Sequence, residues 1–402
     1  MKKDYSRLKA ALISVLLALA VGAVIILLLG KNPLSAYYNL LQGCGIAPKA
    51  KYAGGKSMLT DFSSFVNYWT PMIFAALAVT VAYNCGLFNI GVSGQMMTAG
   101  FIASITVGYS VLPAGIAKPL VILIGIVVGA LIGALIGFLK YKFNINEVVS
   151  SIMINYTASY IISYFINSYF VDPVSRQSTV VNASARLTLM QVQIGSMKYD
   201  LPLGFILAVI AVIGIKFLMD RTVLGYELKS VGMNRRGSRY AGISVGRCMM
   251  LSMAISGGLA GLAGVTYYLG YFGSIQPKAL PSMGFDAIAV CLLGGIQPVG
   301  SFVASFLIQI ISKGTVYMSS QAGLESEIAS VITGIILLYS ACSEYILGSG
   351  RALRERIQDR VNARNKADTA ELQQAAKAAA AAEEEKTVLP AEENIGKEEK
   401  QS

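Results

Sequence analysis

The chain has 402 residues, of which 54% are apolar and only 14% charged, against roughly 25% charge in a soluble domain. The net charge of +11 would suggest nucleic acid in a soluble protein, but here basic residues in cytoplasmic loops account for it and no nucleic-acid partner is implied. Histidine is absent, which removes the usual proton shuttle and the commonest metal ligand, and the five cysteines (Cys44, Cys85, Cys248, Cys291, Cys342) show no CxxC spacing, so they read as free, packed thiols.

Apolar runs near the roughly 20 residues that a helix needs to cross a bilayer recur along most of the chain. The first, "LKAALISVLLALAVGAVIILLLG", follows Lys2, Lys3 and Arg7. It is too long for a signal-peptide core and no A-x-A-like site follows it, so it reads as a span that stays in place. Further spans are expected near 65–83, 86–108, 117–139, 148–170, 202–219, 248–270, 283–296, 299–316 and 327–347. The sequence therefore predicts an all-α polytopic membrane protein with about ten transmembrane helices. Between 283 and 316 the stretch "LLGGIQPVGS" interrupts a long apolar run and marks either a tight turn or a broken helix inside the bundle. Alternation in ten-residue segments, the mark of a membrane β-barrel, is absent.

The basic residues set the orientation. With the N-terminus inside, the cytoplasm receives the N-terminal cluster, Lys140 and Lys142, the basic loop 221–247 and the Arg-rich start of the tail. Loops 31–64, 171–201 and 271–282 then lie outside, and both termini are cytoplasmic. Residues 1–350 form the transmembrane domain. In residues 351–402, "RALRERIQDRVNARNK" reads as a juxtamembrane helix on anionic lipid headgroups, and the Ala/Glu/Lys-rich remainder as partly helical and then disordered. "FNIGVSGQMMTAGFIAS" and "AVCLLGGIQPVGSFVAS" look alike and suggest two pseudo-symmetric halves, an arrangement common among transporters.

Four stretches carry polar chemistry. "AKYAGGKS", residues 50–57, mimics a phosphate-binding loop but lacks the preceding strand and falls in an outer loop, so nucleotide binding is not expected there. "YNCGLFNIGVSGQMMTAGFIAS" places Asn89, Ser93 and Gln95 beside Phe88 among glycines. These residues either tie helices together by hydrogen bonds or line a solute path, with Phe88 and Asn89 suited to a planar polar solute. In "NINEVVSSIMINYTASY", Glu147 suits a helix start and Asn155, two turns on, is the better lining candidate. Asp286, in "SMGFDAIAVCLLGG", lies near the outer end of its expected span and either serves a helix N-terminus or meets the solute. Within "GYELKSVGMNRRGSRYAGI", Asn234 is a candidate N-cap and Gly242 a terminator for a short basic helix carrying Arg235, Arg236 and Arg239. The flanking Val231, Tyr240 and Ile243 give it an apolar side, as for a helix laid on a partner or on lipid.

Taken in order, "NCGLFNIGVSGQMMTAGFIAS", "NEVVSSIMINY", "LKSVGMNRRGSRYAGI" and "GFDAIAVCLLGG" resemble the permease subunits of bacterial ABC importers for nucleosides. That group belongs to a wider set of permeases that also serves ribose-type sugars and branched-chain amino acids. The resemblance covers residues 8 to 347. It implies a non-enzymatic permease in the cytoplasmic membrane with no cofactor of its own, ATP and magnesium being held by a separate cytoplasmic ATPase subunit. It also implies a second, homologous permease and an extracellular solute-binding protein, typically a lipoprotein. The stretch with Gly232, Asn234, Arg235, Arg236, Arg239, Tyr240 and Gly242 would be the coupling helix that docks on the ATPase. Gly237 in its middle lowers helix propensity by up to about 1 kcal/mol. Two rival readings are a ribose-type sugar permease and an ion-coupled secondary transporter, the latter calling for intramembrane charges that the spans nearly lack.

Overall fold

The computed structural model describes residues 16–17, 19–52, 56–194 and 197–323, with 331, 334–335, 338, 358–362, 369 and 373–378 beyond them. The chain divides into two compact units, Met1–Ser343 and Glu344–Ser402. The second is described only at 358–362, 369 and 373–378, all helical.

The first unit is built of helices: α1 (Leu19–Leu28), then α2 (Pro33–Gly43), α3 (Met58–Asn84), α4 (Val92–Ala103), α5 (Ala114–Phe143) and α6 (Glu147–Phe165). After a β-hairpin, β1 (Thr188–Ile194) and β2 (Met197–Pro202), come α7 (Leu203–Arg221), α8 (Val223–Met233), α9 (Arg235–Tyr240), α10 (Val245–Val265), α11 (Met283–Leu293) and α12 (Pro298–Ala322). Helices α4, α6 and α10 run on into π-helical turns at Ser104–Gly108, Ile166–Phe170 and Thr266–Phe272. The hairpin pairs Thr188 with Pro202 and Ile194 with Met197 and is the one sheet among the described residues.

Six helices are long and apolar enough to cross a bilayer, or seven if α1 and α2, bent by 120° at their break, make one span. About ten were expected. The segment 327–347 lies largely outside the described residues. At 86–108 and 283–296, however, the continuous apolar runs are not continuous helices. Residues 85–91 are turn and irregular chain before α4, and 273–282 are bends, turns and irregular chain before the short α11.

Local chemistry fixes the ends. Ser57, the last residue of the loop-like "AKYAGGKS", makes a capping box with Thr60 at the start of α3. Between α5 and α6, Asn144 ends one helix in the left-handed region and Asn146 caps the next by accepting from the Val148 N–H at 2.9 Å. Glu147 then pairs with Lys140 across that turn at 2.8 Å.

Helix α3 is the buried centre. Its single tryptophan, Trp69, donates to Ser305 Oγ on α12 at 2.7 Å and packs against Phe65, Phe205, Phe302 and Phe306. Helices α5 and α10 run antiparallel along a glycine seam. Gly125, Gly129, Gly133 and Gly137 face Val265, Gly261, Gly257 and Met253, and a Cβ at Gly129 or Gly257 would collide with the opposing carbonyl. Small residues let the backbones touch, which is how helices associate where lipid supplies no hydrophobic drive.

Candidate functional site

The two short helices meet inside the bundle. Asn89 lies level with Ser256 of α10, and Met96 level with Gly264. Ser93 between them therefore sits opposite the middle of the 28-residue helix Val245–Phe272. There Ser93 donates to the Pro281 carbonyl at 2.8 Å, and Gly284, in the first turn of α11, touches Ser93 so closely that a Cβ would clash. From this junction α4 runs alongside α10, with Gly100 at Tyr268. Helix α11 runs the opposite way alongside α3, with Cys291 at Thr80. Two half-helices thus start head to head at mid-span. Asp286 is consequently near the middle of the bundle and not at the end of a long span, because 273–282 lead from the end of the Val245–Phe272 helix back to the junction as bends, turns and irregular chain. Its main-chain N–H donates to the Ser282 carbonyl at 3.0 Å.

A helix N-terminus at this depth presents N–H groups that water cannot satisfy. Two amide side chains do so for α4. Asn89 Oδ1 accepts from Gly91 N–H at 2.9 Å, and Asn155 Oδ1 on α6 accepts from Gly94 N–H at 2.9 Å while its Nδ2 donates to the Ile90 carbonyl at 3.0 Å. Asn89 Nδ2 also donates to Gln95 Oε1 at 3.0 Å and to Ser256 Oγ at 2.8 Å, and Ser256 donates to the Ala78 carbonyl. Asn89, Ser93, Gln95 and Asn155 are each at most 1% exposed, and their polar atoms are engaged with protein. Phe88 is half-buried, edge-on to Tyr83.

A second group escapes a reading by hydropathy. Ser301, Ser305, Gln309 and Lys313 recur every fourth residue along α12, a single helical stripe. Ser301 bonds Thr80 Oγ1 at 2.8 Å, Ser305 bonds Trp69, and Lys313 Nζ donates to Ser64 Oγ at 2.7 Å, so the stripe faces α3. The Gln309 amide is buried with neither polar atom partnered among the described residues. Lys313 also lies 5.4 Å from the Tyr271 ring centre and 5.8 Å from that of Tyr68, and Tyr68, Tyr271, Phe272 and Tyr267 form one aromatic cluster. A lysine inside an apolar segment was the available signal. It is one of the few interior charges in spans that nearly lack them.

The third region is the basic helix. Asn234 caps α9 by accepting from Gly237 N–H at 3.0 Å, and Gly242 follows at φ +82°. Arg235, itself exposed, donates to the Gly86 carbonyl at 2.8 Å. Gly232 abuts Asn84 and Gly86, so α8 and α9 rest on the turn that leads into the irregular stretch 87–91. Arg235, Arg236, Arg239 and Tyr240 line a cleft of about 590 Å³ with Lys140 and Tyr141. Val231 is buried and Tyr240 is 95% exposed.

The pair of stretches that look alike in sequence do not occupy equivalent elements. One leads into α4, while the other spans the end of α11, a turn and the start of α12. Shared small residues reflect close helix approach and carry no register. Element order instead pairs α3–α4–α5 with α10–α11–α12, each a long helix, a short one and a long one. Their senses are opposed, since α3 and α10 run antiparallel: Ala78 meets Ser256, and Tyr68 meets Tyr271.

Residues 62–341 match the family described as branched-chain amino acid transport system / permease component. The guanosine ABC transporter permease protein NupP of Bacillus subtilis (strain 168) is 36% identical over 345 residues, covering 85% of this chain and 95% of that protein. The nucleoside ABC transporter permease protein NupB of Lactococcus lactis subsp. cremoris (strain MG1363) is 32% identical over 355 residues, covering 85% and 94%. The glucose ABC transporter permease protein TsgB13 of Haloferax volcanii is 27% identical over 341 residues, covering 83% and 87%. No solved structure matches the chain.

Proposed function

The chain belongs to the branched-chain amino acid transport system / permease component family, and from that premise we propose that it is the membrane-spanning permease subunit of an ABC importer for nucleosides. The observation that carries the solute class is near-full-length similarity to two permeases named for guanosine and nucleosides, at 36% and 32% identity. The subunit itself performs no covalent chemistry. A separate cytoplasmic ATPase holds ATP and magnesium, an external binding protein delivers the solute, and a second permease completes the path. Both termini face the cytoplasm.

In this reading α8 and α9 are the coupling element. Motion of a docked ATPase would reach the bundle through the Arg235–Gly86 bond and the Gly232 contact. Those contacts bear on residues 85–91, which carry α4 and the mid-span junction. Arg236 and Arg239, in the open cleft, are the arginines left to face the ATPase. The solute lane combines Tyr68, Tyr271 and Lys313 near the outer ends of their helices with Asp286 at the junction. Rings give stacking surface to a base, and the charged groups give hydrogen bonds to its polar edges. Asn89, Ser93, Gln95 and Asn155 hold the junction together and do not line the lane.

The test is uptake of labelled uridine by cells with and without this gene, in a strain free of other nucleoside carriers. Uptake should vanish on deletion and be blocked by cold guanosine but not by ribose, glucose or leucine. Unchanged uptake rules out the nucleoside assignment, and competition by glucose alone moves it to sugars, in line with the resemblance to TsgB13.

A further inference from the structure

The helices expose different chemistry at the same depth. Between 116 and 138 the exposed positions of α5 include Ile116, Leu120, Leu123, Ile126, Leu131 and Leu135, and every one of them is apolar. Helix α7 exposes Ile206, Ile210 and Ile213. These are ordinary lipid-facing surfaces. Helix α6 differs. Its small polar residues Ser151, Asn155, Ser159 and Ser163 are buried, and its exposed face sets Tyr156 (56%), Tyr160 (64%), Tyr164 (63%) and Thr157 among Met153 (61%) and Ile161 (52%).

Depth makes this more than an aromatic belt. Asn155 binds at the α4 N-terminus, so Tyr156 is level with the mid-span junction. Phe165 is level with Phe101 near the far end of α4, so the helix rises outward from there. At a rise of about 1.5 Å per residue, Tyr160 lies about 6 Å and Tyr164 about 12 Å beyond Tyr156, within a hydrocarbon half-thickness of about 15 Å. Tyr164 is close enough to the headgroups to serve as a belt residue. Tyr156 and Tyr160 are not, and their exposed hydroxyls would be unpaired in lipid.

We propose that the Tyr156–Tyr160 face of α6 lines the water-filled outer half of the solute path, and that its phenol rings are a second stacking surface for the planar base of a nucleoside, apart from Tyr68 and Tyr271. This rests on the nucleoside-importer reading and deepens it. Phenols suit the task because they offer a flat apolar ring and a hydroxyl at low entropic cost. Stacking tolerates any base, so the face fits a carrier that accepts purine and pyrimidine nucleosides alike. The buried serines opposite let α6 pack closely while the rings stay in the lane.

The test uses the full-length chain assembled with its partner subunits in membrane vesicles, treated on both sides with a charged, water-soluble thiol reagent. Positions 156, 157 and 160 are changed singly (Y156C, T157C, Y160C), with I126C and I210C as lipid-facing controls and the parent chain as background. The T157C variant keeps both rings and so guards against loss of fold. Labelling at the three α6 positions should be at least about tenfold faster than at the controls, equal to about 1.4 kcal/mol of difference in access, and millimolar uridine should slow it. Labelling no faster than at I126C and I210C overturns the proposal and assigns the face to lipid or to a dry contact with the partner permease. Fast labelling that uridine leaves unchanged overturns the stacking role. Uridine uptake by the parent complex is measured in parallel, so loss of the nucleoside assignment is read separately from loss of the α6 site.

Discussion

The α5–α10 seam and the α4–α11 junction are both made from glycine and small polar residues, yet they solve opposite problems. At the seam two continuous helices touch along their backbones. At the junction two helices begin in mid-bundle, and the Asn89 and Asn155 side chains take up N–H groups at the start of α4. The seam is held by shape, the junction by hydrogen bonds. A surface held by shape has one arrangement, because packed backbones do not deform gradually. A surface held by side-chain hydrogen bonds can exchange partners. The difference marks the seam as frame and the junction as the place where a bundle of this kind can change state.

The seam should therefore be the more damaging place to add volume. Gly257→Leu drives a side chain into the Gly129 carbonyl, with no flexible neighbour to yield. The expected cost is about 3 kcal/mol or more, seen as loss of folded subunit in detergent-extracted membranes by thermal unfolding. A well-folded variant would show that the seam is looser than its glycines imply. Next in size is the tether of the junction. Gly232→Val meets the Asn84 carbonyl and should lower nucleoside uptake about tenfold, equal to about 1.4 kcal/mol in the barrier, at an unchanged level of membrane-inserted protein. Normal uptake would remove the contact between α8 and residues 84–86 from the coupling route.

Asn155→Ala separates the two roles that the sequence leaves open for this residue. As a tie it leaves the Gly94 N–H and the Ile90 carbonyl buried without the partners they have now. That should cost about 1–2 kcal/mol and lower the melting temperature of the complex, while uptake per folded molecule stays within about twofold, under 0.5 kcal/mol of barrier. Loss of uptake at unchanged stability would instead make Asn155 a solute contact.

The sequence makes the helical class and the caps legible because these depend on residue type at short range. Asn234 and Gly242 bound α9, and Glu147 opens α6, from side-chain chemistry alone. The half-helices are hidden for a physical reason. Hydropathy reports what a segment dissolves in, and "CGLFNIG" is as apolar when irregular as when helical. Only the hydrogen-bond count separates the two, and the partners that make the irregular form affordable, Asn155 and Ser256, lie 61 and 167 residues away from Gly94 and Asn89. The depth of Asp286 follows from the same blind spot. The α12 stripe is different: the spacing of Ser301, Ser305, Gln309 and Lys313 is written in the sequence, but four polar residues dilute into a long apolar run unless their period is examined.

The smallest expected effect sharpens the comparison most finely. Thr98 is another polar residue of α4, about one turn beyond Gly94, and its hydroxyl donates to the Gly94 carbonyl at 2.8 Å. That carbonyl lies inside the helix and keeps its main-chain donor when the hydroxyl is removed. Thr98→Val preserves shape and branching, and should change stability by no more than about 0.5 kcal/mol, measured beside Asn155→Ala in the same complex. If the two variants cost the same, the junction responds to polarity in general. If only Asn155→Ala is costly, what matters is whether a main-chain group is left without a partner, and the junction is then weakest where a rearrangement must find those groups new ones.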